Sequence, residues 1–159
     1  MHVKGITDED FVNYKLPSMF IAANYCTFKC EKENGVRCCQ NNALVSLPDI
    51  EIDDDELIRR YRSNDITRAI VFGGLEPFDQ SLELLAFISR LRRDYRIHDP
   101  IVIYTGFDEN EVGEELAMLR VFDHIIVKFG RYRRGEKPHY DKVLGVELAS
   151  DNQYGKVIS

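Results

Sequence analysis

No uninterrupted apolar run in this 159-residue chain approaches the roughly 18 residues of a membrane-spanning helix, so none is expected. Positive charge is in deficit. The 21 Lys and Arg face 27 Asp and Glu, a formal charge of −6, which argues against a broad nucleic-acid surface. The N-terminal MHVKGITDEDF has neither an apolar core nor a small-residue cleavage site, so it does not read as a secretory signal. A cytoplasmic chain with reduced thiols is the expectation. No Ser-His-Asp or paired-carboxylate constellation stands out. Tryptophan is absent, the histidines (2, 98, 124 and 139) are scattered, and cysteine is confined to one place.

What is present is an ordinary globular mixture, 44% hydrophobic and 30% charged, of a length suited to one domain over 1–159. SMFIAA (18–23) predicts a buried strand. DDDELIRRYRSN (53–64) predicts a helix starting near Asp53, and its acids complement the helix dipole more simply than they make a Mg²⁺ site. TRAIVFGG (67–74) reads as a strand ending in glycines. DQSLELLAFISRLRRDY (79–95) reads as a helix capped by Asp79, with Leu82, Leu85, Ile88 and Leu91 on one face. IVIYTG (101–106) is a strand, ENEVGEELAMLRVF (109–122) a helix and DHIIVKF (123–129) a strand. From about 130 the chain reads as irregular, with a possible strand near 142–148. The basic runs RLRRDYR (90–96) and RYRRGEK (131–137) read as solvated helix face or loop.

This alternation predicts βαβ units and a mostly parallel sheet, whose ligands bind at the carboxyl ends of the strands. Three stretches fall there: the loop after 18–23, GGLEP after 67–72, and TGF after 101–104. The first is the cysteine loop, YCTFKCEKENGVRCCQNN, with thiols at 26, 30, 38 and 39. A structural zinc site would use paired C-x₂-C knuckles, and two adjacent cysteines suit one ion poorly. A disulfide is disfavoured by the compartment, a redox switch lacks C-x-x-C, and the polar residues between the thiols do not suit a core. An iron–sulfur cluster fits better, because thiolates are its usual ligands and three of them leave one iron open.

At Cys26-Thr-Phe-Lys-Cys30 the loop resembles the C-x₃-C-x₂-C pattern of the radical S-adenosylmethionine superfamily. Cys39-Gln40-Asn41 resembles the third ligand with its trailing Asn, although eight residues rather than two separate Cys30 from Cys39. Gly35 would help that longer loop turn back, and Cys38 is the rival third ligand. Gly73-Gly74-Leu75-Glu76-Pro77 resembles the superfamily's Gly-Gly-Glu-Pro, with Leu75 as an extra residue. IVIYTGF, Gly130-Arg131-Tyr132 and Asp151-Asn152-Gln153 resemble segments of the activase of anaerobic ribonucleotide reductase. Lys128-Phe129 stand where that family carries an Asp.

The resemblance runs from about residue 17 to the end. It implies an α/β fold, a partial (β/α) barrel of radical S-adenosylmethionine type. It implies a [4Fe–4S] cluster on Cys26, Cys30 and Cys39. S-adenosylmethionine would sit at Gly73, Gly74 and Glu76, with Cys38 near its adenine. It further implies an oxidoreductase that generates a glycyl radical on a large partner, anaerobic ribonucleotide reductase, using an external electron donor. Related enzymes acting on another protein, a peptide or a small molecule, and a non-catalytic zinc or cluster module, stay open as alternatives.

Overall fold

A computed structural model describes residues 1–159. Strand β1 (His2–Asp10) comes first and pairs antiparallel with the apolar β2 (Ser18–Ala23). Two short helices follow, α1 (Lys29–Asn34) and α2 (Asn42–Val45), and then the two-residue strand β3 (Ile50–Glu51). The middle of the chain alternates as expected: α3 (Asp54–Arg62), β4 (Ala69–Gly74), α4 (Ser81–Arg93), β5 (Ile101–Tyr104), α5 (Gly113–Leu119) and β6 (Ile125–Phe129). The tail adds β7 (His139–Asp141), β8 (Val146–Leu148) and β9 (Tyr154–Val157).

Seven strands form one sheet in the order β3-β1-β2-β4-β5-β6-β9, and β7 and β8 form a separate hairpin. Only the central β2, β4, β5 and β6 are mutually parallel. β1 and β3 on one side and β9 on the other join antiparallel. The expected mostly parallel sheet is therefore corrected to a mixed one, open at β3 and β9. The antiparallel strands escaped notice because β1 (HVKGITDED) and β9 (YGKV) carry no continuous apolar run. The tail from 130 is likewise not irregular throughout, and the strand expected near 142–148 is confined to Val146–Leu148.

The parallel strands advance across the sheet in one direction. Right-handed crossovers then place their helices on a single face. Side chains alternate along each strand. Met19, Ile21, Ile70, Phe72, Ile103 and Val127 pack in one cluster with Leu57, Phe87, Leu91 and Leu116 of the helices. Ala69, Val71, Val102 and Ile126 lie in a smaller second cluster with Tyr14, Leu144 and Leu148, and partly buried Leu16, Phe20, Tyr104, Val143 and Val146 pack against it. A thick helical layer thus backs one face and a thin cover of loop and hairpin the other.

Two local expectations need correction. Asp53 does cap α3, accepting from the Asp55 amide at 2.8 Å. Asp79, however, does not cap α4. A 3₁₀ turn over Pro77–Gln80 precedes that helix, Glu76 caps the turn, and the Asp79 carboxylate is turned to the Thr27 amide at 2.6 Å. With α4 starting at Ser81, its buried face is Leu84, Phe87, Ile88 and Leu91, and Leu82 is 80% exposed. Nor are the basic runs wholly solvated. Arg92 is buried, donating to the carbonyls of Ile97, Asp99 and Asp123, and Arg131 is buried among three acids. No helix is long and apolar enough to cross a membrane.

Candidate metal centre

The three predicted stretches turn onto one cavity of about 690 Å³ at the carboxyl ends of the parallel strands. Phe20, Tyr104 and Lys128, on the thinly covered face of the sheet, line it. Both glycines of the GGLEP turn are required by their surroundings. A Cβ on Gly73 would stand 3.0 Å from the Phe20 ring and 3.3 Å from Tyr104 Cβ. Gly74 has φ +76°, and a Cβ there would meet Leu44 at 2.9 Å and Ala22 at 3.1 Å.

The turn holds the cysteine loop in place. The Glu76 amide donates to the Tyr25 carbonyl at 2.9 Å, and Gln80 Oε1 accepts from the Asn24 amide at 2.8 Å. Phe28, with φ 53°, reverses the chain so that Cys30 enters α1 one residue later than Lys29. The Phe28 amide donates to Cys26 Sγ at 3.2 Å. α1 ends at Gly35, φ 65°, the turn-back residue. Glu31 then gathers the returning chain: its Oε1 accepts from the Cys39 amide at 3.1 Å and from Asn42 Nδ2 at 2.6 Å. The residues that lengthen this loop are absorbed by α1 and its turn, so Cys39 comes back beside Cys30.

Cys26, Cys30 and Cys39 line the cavity, and Cys38 is not among its lining residues. Cys38 Sγ is instead 3.9 Å from the Cys30 carbonyl. All four are free thiols. Both thiols are half-buried, and their partial desolvation pushes Cys26 up to about 12 and Cys30 up to about 11, the latter helped by neighbouring Cys39 and Cys38. No three His, Cys, Asp or Glu side chains converge closely enough to hold a single ion. Cys26, Cys30 and Cys39 bring three sulfur donors to one cavity, the donor chemistry of a polynuclear cluster in which each thiolate serves a different iron.

Glu76 is buried and well supplied with donors. Thr105 Oγ1 donates to Oε1 at 2.8 Å, the Phe78 amide to Oε1 at 3.2 Å and the Gly106 amide to Oε2 at 2.8 Å. Burial nevertheless pushes its carboxyl up to about 7. Gly74, Leu75 and Glu76 line the cavity, as do Thr105 and Gly106, whereas Gly73 lies just outside it.

Three contributions were not read from the sequence as side-chain roles. Thr105 orients Glu76. Lys128 enters the cavity from the middle of an apolar strand, a break in the pattern that strand alternation could have flagged. Arg131 ties α1 to the segment after β5, pairing with Glu111 at 2.6 Å, Glu33 at 3.2 Å and Asp108 at 3.5 Å. The two tail motifs also meet: Asn152 Nδ2 donates to the Arg131 carbonyl at 2.9 Å and Gln153 Nε2 to the Gly130 carbonyl at 3.2 Å.

Fold and donor set together define an α/β protein with a sulfur-lined centre at its strand ends. A family model described as "4Fe-4S single cluster domain" matches residues 18–153, and the chain belongs to that family. The match opens at the first residue of β2 and spans the cysteine loop and every parallel strand. A [4Fe–4S] cluster is the cofactor the family supports. No curated protein and no solved structure matches the chain.

Proposed function

We propose that this chain is a radical S-adenosylmethionine enzyme. Its substrate in this reading is a glycine on a large glycyl-radical protein, with anaerobic ribonucleotide reductase the leading candidate. The observation that carries the reading is the convergence of Cys26, Cys30 and Cys39 with Gly74–Glu76 and Thr105–Gly106 on one cavity. Cys26, Cys30 and Cys39 would hold the cluster by three irons, leaving one without a protein ligand. When bound and reduced by an external donor, a cluster held by these residues would supply the one electron needed to cleave the sulfonium C–S bond of S-adenosylmethionine into methionine and a 5′-deoxyadenosyl radical.

The chain's own residues bind and orient. Gly74 brings bare backbone to the cavity, and Glu76, fixed by Thr105 and Gly106, presents an anion to the ligand's ammonium. Leu75 is buried, so the extra residue of GGLEP is accommodated and Glu76 stays at the site. Cys38, off the cavity, has no ligand role in this reading. The thin cover on the cavity face leaves room for a protein partner to complete the enclosure that a radical requires.

The test is product formation. Anaerobically reconstituted protein, given dithionite and S-adenosylmethionine, is expected to release 5′-deoxyadenosine and methionine in equal amounts. Protein that assembles its cluster yet leaves S-adenosylmethionine intact contradicts the reading. Adding a candidate glycyl-radical protein then tests the substrate: transfer should leave an organic radical on the partner.

A further inference from the structure

Lys128 interrupts the apolar run IIVKF of β6 and is only 7% exposed. Alternation along β6 turns it away from the helices and into the cavity, on the side of Tyr104. Its ammonium has three N–H donors but one hydrogen-bond partner, the Gly130 carbonyl at 2.8 Å. It forms no ion pair: no carboxylate oxygen stands within 4.0 Å. The charged and titratable groups that act on it across the cavity are Glu76 and Cys30.

A buried ammonium without a counter-charge is costly. The Gly130 carbonyl does not require it, because Gln153 Nε2 also donates there at 3.2 Å. Lys128 is therefore a poor structural choice and a good ligand-binding one. Five charged residues line the cavity: Asp10, Glu76, Glu147, Lys128 and Arg131. Arg131 is engaged by Glu33, Asp108 and Glu111, and Asp10 accepts from Asn13, so Lys128 is the cation left without an ion pair, and Glu76, in no ion pair itself, is the carboxylate that acts on it across the cavity. A zwitterion complements such a pair.

We propose that Lys128 Nζ binds the carboxylate of an α-amino-acid group whose ammonium is received at Glu76. The proposal rests on the function proposed above, in which that group belongs to S-adenosylmethionine. A carboxylate that gives one oxygen to a metal keeps its second for a donor. Lys128 then selects ligands that carry the carboxylate over those that have lost it.

The test compares S-adenosylmethionine with its decarboxylated analogue on anaerobically reconstituted protein, by equilibrium dialysis. Lys128→Met is expected to lower affinity for S-adenosylmethionine roughly 10- to 100-fold, the range for a charged hydrogen bond. Affinity for the decarboxylated analogue should stay the same. Iron and sulfide per chain should be unchanged, and the melting temperature of the ligand-free protein should hold or rise. Lys128→Gln keeps an N–H for Gly130 and serves equally if the methionine variant does not fold.

Equal losses for both ligands, no loss for either, or a lower melting temperature would overturn the subsite while leaving the proposed function standing. Loss of cluster from the variants would also overturn it, assigning Lys128 to charge compensation of the thiolates. A wild-type protein that binds its cluster but no S-adenosylmethionine would overturn the proposed function and this subsite together.

Discussion

Two halves of the same cavity are built in opposite ways. No residue between 24 and 56 is buried, so the cysteine loop has no core of its own. Between 69 and 78 only Gly74 is not buried, and Glu76 alone holds three hydrogen bonds. The turn that would receive the organic ligand is therefore preformed. The loop that would receive the metal is held by a few polar links, chiefly Glu31 to Cys39 and Asn42 and Asn34 to Tyr132. Segments with few buried contacts open at low free-energy cost, and metal binding contributes directly to the ordering of such sites. The scaffold is set by packing, and in the proposed reading the loop would gain order from the cluster it holds.

The contrast can be broken most sharply at the cysteines. Serine in place of Cys26, Cys30 or Cys39 should abolish stable cluster assembly, read as iron and sulfide per chain, while Cys38→Ser retains it. None of the four should much change the melting temperature of the cluster-free protein. Retention by Cys39→Ser with loss in Cys38→Ser would transfer the ligand role to Cys38.

The next largest effect lies in the scaffold. Phe72 is fully packed and meets Phe87 edge to face at 5.5 Å. Phe72→Ala should cost roughly 3–5 kcal/mol and lower the melting temperature by about 10 °C. A melting temperature like the wild type's would show that the helical face is not the stabilising layer. Gly74→Ala is smaller but sits at the seam of the two halves. A positive φ and a close Leu44 predict a loss of about 1–3 kcal/mol, with weaker ligand binding; unchanged thermal stability and unchanged binding would refute the close approach.

The smallest effect is a pH dependence. The hydrogen bond from Arg131 lowers the Glu111 carboxyl from 4.5 to about 2. A folded-state pKa below the unfolded one stabilises above pH 4.5 and loses that contribution as pH falls toward 2. The melting-temperature gap between wild type and Glu111→Gln should therefore be widest near neutrality and close across that interval. A gap that is constant with pH would show that Arg131 does not clamp the segment electrostatically.

What the sequence made legible follows the same division. β2, β4, β5 and β6 are covered on both faces, so they appear as continuous apolar runs, and their ends carry the site. β3 has two exposed residues, and α1 and α2 bury nothing, so neither period nor hydrophobicity marks them. The cysteines and Glu76 were visible as motifs. Asp79 was misread because a cap and a loop anchor use the same carboxylate, and only the 3₁₀ turn decides between them. Thr105 and Arg131 depend on residues 29 and 20 positions away, respectively, which no local pattern encodes.

The most direct measurement of the central claim is electron paramagnetic resonance of the anaerobically reconstituted, reduced protein, with and without S-adenosylmethionine. The account predicts the signal of a reduced [4Fe–4S] cluster that changes when the ligand is added, because in the proposed reading the ligand would bind at the iron to which Cys26, Cys30 and Cys39 give no thiolate. A cluster signal indifferent to S-adenosylmethionine, or a protein that binds zinc in place of iron, would contradict it.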